Sequence, residues 1–515
     1  MTATRQAGAS TRSRAAALAL MPELPQTGPR RPTYRHHVLR LVTAALTLLL
    51  VVAVFGSAWW YHRWQVEVGH RVDAAAPAPL PGELARYRAA AADAPAGSGT
   101  APIVLSYHDV RPGHDNGPYA LTPQEFAAQM RMLKAAGFRS LTAAQFSAYL
   151  AGDFTPPPRS VLITFDDGTR GLYTYADKVL ERYGMHGISF LITGHLDSGG
   201  LASDAHRYYL TWRQVATMSR SGRWDFEAHT HDLHGRGVVD ADGTTAPMLT
   251  NRQLVDGHRE TLKAFRARVT RDLRQNLADF ADHGLPRPRF FAWPFSDIPG
   301  NARDAAAGRA VIDVVDHLFS NSFVNVTLAP EPATRRQAAL RPIERREVLS
   351  TDTAPSVFAS MQEMTTLPVR SMDPTTVDKN WLDLSGSPSP VVSRKRTVHP
   401  KSLAGLRFVK SEWAPQRTGT WSSYEVSARV SNLHRGGATT GGLCAAVGAP
   451  KEVCVRLSTT YLEVTSGGRT VLQRRLPFAG TSHDVTLAVS AHSARVDVDG
   501  QDVARLTSSA SRVGS

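Results

Sequence analysis

Two adjacent carboxylates, Asp166 and Asp167, follow a short apolar run and precede a glycine in Ser160-Val161-Leu162-Ile163-Thr164-Phe165-Asp166-Asp167-Gly168. Neighbouring carboxylates repel, and a cation bound to one relieves the repulsion while leaving the other free to act as a base. The plainer alternative is a solvated Asp-Asp-Gly turn. Three further groups bear on the choice. His229-Thr230-His231-Asp232-Leu233-His234 holds three imidazoles within six residues. That density suits a divalent metal held by two imidazoles and a carboxylate, with a position left for water. In an extended strand His229 and His231 would share a face, whereas His229 and His234 share an ion only if the chain turns between them. His108, after Tyr107, is a candidate general acid. Trp293-Pro294-Phe295 offers a backbone N–H that can stabilise an oxyanion. Singly, these read as a polar loop, a structural histidine and a core edge; only their combination points to hydrolysis.

Each group lies where a strand should end. Val161 to Ile163 reads as a buried strand, and Ile103 to Tyr107, Ile188 to Ile192, Trp224 to Ala228, Arg289 to Trp293 and Ser322 to Leu328 read as further strands. Between them the spacing predicts helices. Thr122-Pro123-Gln124-Glu125 is a capping box with proline at the first helical position, and Gly137 ends that helix. A short helix follows Thr142, another runs from Tyr175 to Tyr183 before Gly184, and Thr211 caps one through Met218. Arg252 to His283 reads as one long amphipathic helix, and Ala305 to Leu318 as a further helix. Strand and helix alternating in this way indicate an α/β domain over 101–355 with a largely parallel sheet, open or closed into a barrel; sites in such folds sit at the C-terminal ends of the strands.

The flanking regions differ. Leu41 to Tyr61 contains 21 residues without a charged side chain, followed by Trp64, which is long enough to span a bilayer with an aromatic belt. The tail 1–40 carries Arg5, Arg12, Arg14, Arg30, Arg31, Arg35 and Arg40 against one acid, Glu23. Arginines before the span place the N-terminus in the cytoplasm and everything after residue 64 outside it. A cleaved signal peptide is the rival, disfavoured by the length of the run and the lack of a clear Ala-x-Ala site. Topology thus accounts for part of the net charge of +14. No basic–aromatic platform for nucleic acid is present. Residues 62–100 are rich in Ala, Pro and Gly and read as a spacer, and 356–402, with Pro368, Pro374, Pro388, Pro390 and Arg394-Lys395-Arg396, as a linker. From 403 to 515, period-two strands between glycine turns, such as Tyr424 to Val430, predict an all-β sandwich. Its two cysteines, Cys444 and Cys454, bracket Gly448-Ala449-Pro450 and can staple a hairpin in an exported chain. No Cys-x-x-Cys motif offers a thiolate zinc site.

Thr164-Phe165-Asp166-Asp167-Gly168 with the later His229-Thr230 pair resembles the NodB-homology polysaccharide deacetylases, metal-dependent carbohydrate esterases with an irregular (β/α) barrel. Tyr107-His108-Asp109-Val110 ahead of the Asp-Asp motif, and the box from His229 to His234, are similar to the permuted subgroup containing the poly-β-1,6-N-acetylglucosamine deacetylases of biofilm matrices. The resemblance covers about 100 to 350. It implies Asp166 as general base, and Asp167, His229 and His234 as ligands of a divalent metal, zinc being the expectation. It further implies His108 as general acid and the Phe295 N–H in the oxyanion hole, with His231 left outside the first shell of ligands. Two departures stand out: Ser296 where the family usually has glycine after the Pro-aromatic pair, and Trp293 where ordinary members carry the arginine that orients the base.

The implied activity is removal of N-acetyl groups from an extracytoplasmic N-acetylglucosamine polymer by a membrane-anchored enzyme, with room for a polysaccharide synthase as partner. Peptidoglycan or chitin-type chains are the alternative substrates. A glycan-binding adhesion protein with a weakened catalytic domain is the alternative of another class; the sandwich, whose pattern resembles concanavalin-like jelly rolls, and Ser296 motivate it.

Overall fold

The computed structural model describes residues 34–507 apart from 76, 94–97, 114–116, 198–207, 300–303, 327–329, 340–341, 370–372, 377–380, 383–397, 399–410, 415–416, 434–439, 447–451 and 476–479. The basic tail before residue 34, the run Arg394-Lys395-Arg396 and the turn Gly448-Ala449-Pro450 lie outside the described residues. The chain divides into two units, 1–67 and 68–515. The first is dominated by helix α1 (Tyr34–Ala75), within which Val38–Trp64 is long and apolar enough to cross a membrane. Leu41, Leu48, Leu49, Leu50, Val52 and Phe55 are all exposed on it. A helix apolar on every side has no buried stripe to dock on a protein core, and a bilayer is the solvent that suits it.

In the second unit seven parallel strands close on themselves. They are β1 (Ile103–Tyr107), β2 (Ser160–Phe165), β3 (Gly187–Leu191), β4 (Trp224–Ala228), β5 (Phe290–Ala292), β6 (Asn321–Val326) and β7 (Ile343–Glu347). β1 pairs with β2 from Ile103↔Val161 to Tyr107↔Phe165 and with β7 at Leu105↔Arg346 and Ser106↔Glu347, which shuts the barrel. Because both faces are covered, the strands read as near-continuous apolar runs. Val104, Leu162, Phe190, Phe290, Phe323 and Ile343 share one core cluster, while Leu105, Tyr107, Ile163 and Phe165 belong to another that includes Phe126, Met130 and Leu180 from the surrounding helices.

Those helices start where the sequence marks them. Thr122 and Glu125 form a reciprocal capping box at the head of α3 (Pro123–Ala135), after the short α2 (Glu83–Ala92). The same device opens α4 (Ala143–Ala151) at Thr142, and again α6 (Trp212–Arg220) at Thr211, beyond α5 (Asp177–Tyr183). α7 (Leu262–Asp282) and α8 (Ala305–Leu318) complete the crossovers. The expected long helix from Arg252 is shorter. Leu254–Val255 and His258–Arg259 pair as a hairpin instead, turning at Asp256 and Gly257, whose φ values are positive. Order also reaches beyond the expected 101–355. Tyr87 of α2 is buried in the helix-facing core, and so are Val357, Met361 and Met364 of α9 (Ala354–Met364), so part of the anticipated spacer and part of the linker pack as helices.

After Glu412–Trp413, two four-stranded antiparallel sheets form the sandwich. One holds β8 (Tyr424–Ser431) beside three later strands, and the other is the meander β9 (Gly441–Ala445), β10 (Val453–Leu457), β11 (Tyr461–Ser466) and β12 (Arg469–Arg475). The later strands are β13 (Ser482–Val489), β14 (Ser493–Val498) and β15 (Gln501–Thr507). Val455, Leu457, Leu462 and Val464 of one sheet meet Val485, Leu487, Val496 and Val498 of the other in a single core. Cys444 and Cys454 sit opposite each other in the β9–β10 ladder and are joined by a disulfide.

The thinnest seam of the barrel lies between β4 and β5, which share only Phe291↔Ala228. Glu227 bridges it, accepting the N–H groups of Arg289 at 2.6 Å and Phe290 at 2.8 Å. Burial pushes this carboxyl up to about 8, against two backbone hydrogen bonds that favour the charged form. A carboxyl raised in the folded state keeps its proton where the unfolded chain has lost it, so stability falls as pH rises from about 4.5 to about 8. Glu227→Gln keeps the acceptor without the charge. Denaturant unfolding of metal-free protein at pH 5 and pH 8 should show wild type losing a few kcal/mol relative to this variant, on the order expected for a shift of this size.

Candidate metal and catalytic site

The residues singled out in the sequence gather at the C-terminal ends of the barrel strands. His108 follows β1, Asp166 and Asp167 follow β2, His229 to His234 follow β4, and Phe295 follows β5. The Asp-Asp turn is built so that the two carboxylates diverge. Asp166 N–H donates to Tyr107 O at 3.0 Å, continuing the β1–β2 ladder and aligning Asp166 with the barrel. Asp167 then takes a left-handed conformation, φ 73°, and so does Gly168, φ 72°. At Gly168 a Cβ would lie 2.8 Å from Leu191 Cδ2, so a larger residue would meet the strained φ and have to displace the Leu191 side chain.

Asp166 is buried and held by a residue that the sequence reading passed over. Arg345, on β7 and fully buried, donates Nη1–H to Oδ1 at 2.7 Å and Nη2–H to Oδ2 at 2.6 Å. Its guanidinium lies over the rings of Phe190 and Phe323 and also reaches Thr164 Oγ1 at 3.2 Å. Burial by itself raises a carboxyl, but here Arg345 outweighs it, with His229 and His108 adding, and Asp166 is held far below the usual carboxylate range. An arginine therefore does contact this carboxylate, although Trp293 stands where ordinary members of the resembled family carry one. It comes from another strand, and Trp293 packs edge-on against Phe291 as core.

Asp167 faces imidazoles instead. Its Oδ1 lies 3.5 Å from His229 Nε2 and 3.4 Å from His234 Nε2 and, although buried, has no closer hydrogen-bond partner among the described residues. His229 Nδ1 sits 2.8 Å from Ala292 O; a carbonyl only accepts, so Nδ1 carries the proton and a neutral His229 turns its Nε2 lone pair toward Asp167. Burial above all pushes His234 down to about 4, which keeps it neutral at pH 7. A carboxylate oxygen and two imidazole nitrogens converging within 4.8 Å, with no proton assigned between them, match the donor set of a divalent cation of the zinc type. The alternative is a proton shared with His229, whose affinity Asp167 raises against the effect of burial.

The turned spacing of the histidine box is set from α7. Asp272 accepts the N–H groups of His231 and Asp232 at 3.0 and 2.7 Å, and Asn276 Nδ2 donates to Thr230 O at 2.7 Å, where Thr230 has φ 85°. His231 is drawn away to Asp279, with Nδ1 to Oδ2 at 2.7 Å. Asp272, Asn276 and Asp279 follow i, i+4, i+7, a polar stripe on a helix face that burial of Asp272 and Asn276 shows to be inward. That stripe was the available signal, because buried polar groups need partners.

The remaining candidates line the same mouth. His108 packs on Tyr119 with ring centroids 4.7 Å apart, and its Nδ1 has no hydrogen-bond partner among the described residues. Phe295, φ 57°, is half exposed and rests its ring on His234 at 4.6 Å. Ser296, in place of the usual glycine, also has positive φ and accepts the Asn325 N–H on Oγ at 2.9 Å, tying this loop to β6.

Residues 153–309 match the family model described as polysaccharide deacetylase. Over 118 residues the chain is 42% identical to a poly-beta-1,6-N-acetyl-D-glucosamine N-deacetylase of Staphylococcus epidermidis, covering 22% of this chain and 39% of that protein. Over 146 residues it is 34% identical to the protein of the same name from Staphylococcus aureus strain N315, covering 26% and 49%. The chain thus spans less than half the length of these curated relatives. The solved structure of IcaB from Ammonifex degensii is 26% identical, with a TM-score of 0.39, over 51% of this chain and 98% of that one.

The Arg345–Asp166 pair predicts a coupled energetic signature. Arg345→Met leaves a buried carboxylate without its cation and should destabilise the fold by about 3–5 kcal/mol, whereas adding Asp166→Asn to it should recover most of that loss. Urea unfolding of the two single variants and the double variant reads the coupling; additive losses would contradict it.

Proposed function

We propose that this chain is a metal-dependent N-deacetylase, anchored in the membrane by α1, that hydrolyses acetamido groups of an extracytoplasmic N-acetylglucosamine polymer of the poly-β-1,6 type. The observation that carries the reading is the orphaned Asp167 Oδ1 between two imidazoles, one residue from a carboxylate clamped by Arg345. The names of the staphylococcal relatives favour the β-1,6 polymer over peptidoglycan or chitin-type chains.

Asp167, His229 and His234 would hold the ion. When bound, a divalent metal supplies carbonyl polarisation and a water of lowered pKa. An acetamide is a poor electrophile, so the residues must also move two protons. Asp166 takes the proton of the attacking water; Arg345 occupies one lone pair of each of its oxygens, and a carboxylate has further acceptor sites. His108 gives a proton to the departing nitrogen, so the new C–O bond and the broken C–N bond yield acetate and a free amine. The Phe295 N–H is assigned to the oxygen that gains charge. The hydrogen bond from Asn325 to Ser296 gives that departure a structural reason and weakens the case for an inert barrel.

Placement outside the cytoplasm rests on the arginine-rich tail before the span and on the Cys444–Cys454 disulfide, which suits an oxidising compartment. A polysaccharide synthase in the same membrane is the partner that such a placement suits.

Detergent-solubilised full chain should release acetate from poly-β-1,6-N-acetylglucosamine. Chelation should abolish the activity and zinc or cobalt should restore it. Asp166→Asn should lower kcat by about 10²–10⁴. Activity should fall on the acid side as the imidazole ligands take up protons and release the ion. Absence of metal-dependent acetate release from this polymer, chitin oligomers and peptidoglycan alike would rule the reading out.

A further inference from the structure

A crevice of about 640 Å³ lies where the sandwich meets the barrel, inside the range of ligand sites. Its barrel wall comes from Thr100, Phe154 and Arg335, which precede β1, β2 and β7. The crevice therefore opens at the N-terminal ends of the strands, whereas the Asp167 site stands at their C-terminal ends. The six residues of β2 alone separate the two by about 20 Å. Trp421 and Tyr424 form the sandwich wall, edge to face with centroids 5.4 Å apart. Their polar atoms are already engaged: Trp421 Nε1–H donates to Leu367 O, and the Tyr424 hydroxyl accepts the Ala446 N–H, each at 2.8 Å. These two hydrogen bonds hold the rings in place, which lowers the ordering cost for anything that packs against them.

The chemistry of the lining narrows the occupant. Among the described residues, nine serine and threonine residues share it with the aromatic groups, Arg335 and His492 are its charged or titratable side chains apart from tyrosine, and no carboxylate lines it. Thr100, Thr334, Ser490 and Ser493 already have partners within the protein, but a lipid chain would offer no hydrogen bond to the other lining hydroxyls. A strongly anionic ligand would find one guanidinium. A pyranose ring has an apolar C–H face for the aromatics and a rim of hydroxyl and amide groups for the serines and threonines.

We propose that this crevice is a second, non-catalytic glycan site that takes a short stretch of an uncharged sugar chain at the opposite end of the barrel from the Asp167 centre. The preference for a glycan comes from the lining; the choice of N-acetylglucosamine as the sugar rests on the deacetylase reading. A chain held there keeps the enzyme on its polymer while another stretch, or another chain, is at the catalytic mouth.

The test uses detergent-solubilised full chain and a photoreactive β-1,6-linked N-acetylglucosamine pentamer, with peptide mapping of the label and acetate release from the same pentamer. Label is expected on the peptides containing Trp421–Tyr424 and Ser490–Ser493. Ser422→Trp, which fills the crevice from an exposed position, should reduce that label about tenfold or more, and His492→Ala should reduce it less, both with acetate release unchanged. Label confined to the mouth around His108 and Phe295, or crevice label unchanged in Ser422→Trp, would overturn the proposal even if acetate is released. Crevice label that Ser422→Trp removes, in a wild type that releases no acetate, would support this site and count against the deacetylase reading.

Discussion

A cation buried inside a barrel is the constraint around which the site is arranged. Arg345 projects from β7 into a space walled by Phe190 and Phe323, where an unpaired guanidinium would carry a large desolvation cost. Its one close carboxylate partner among the described residues is Asp166, met through two parallel N–H···O bonds. The pairing fixes both oxygens of Asp166 in space and keeps it ionised. Because Arg345 and Asp166 stand on strands to either side of β1, the same pair also ties together the segment where the barrel closes.

With Asp166 committed to Arg345, its neighbour has to turn elsewhere. The left-handed backbone at Asp167 and Gly168 sends the second carboxylate toward His229 and His234, so two adjacent acids occupy different electrostatic surroundings. The histidines are themselves positioned from a distance. Ala292 at the end of β5 fixes the tautomer of His229, and Asp272 and Asn276 of α7 hold the turn that brings His234 back over it. The clamped carboxylate, the Asp-His-His cluster and the loop that shapes it thus depend on backbone and side-chain contacts from four separate elements.

Much of this was legible in the chain. The Asp-Asp-Gly turn, the histidine box and His108 declared themselves because each sits directly after a stretch that reads as a strand, and strand ends are where the (β/α) architecture places its loops. Capping boxes at Thr122, Thr142 and Thr211 marked helix starts through local chemistry alone. Arg345 was not legible in the same way. Ile343-Glu344-Arg345-Arg346-Glu347 is so charged that it reads as solvated, and only the period-two alternation of Ile343 and Arg345 hints that one guanidinium points inward. The choice between His231 and His234 likewise depended on α7, some forty residues later, and tertiary contacts of that kind leave no mark on spacing within the box.

The account turns on whether Asp167, His229 and His234 share an ion. Anomalous diffraction from crystals grown with zinc, recorded on both sides of the zinc absorption edge, addresses this directly. The account predicts one strong peak about 2.0–2.2 Å from Asp167 Oδ1, His229 Nε2 and His234 Nε2, with Asp166 still paired to Arg345. A site free of anomalous signal, with a proton shared between Asp167 and His229, or an ion bound by other residues, would contradict it.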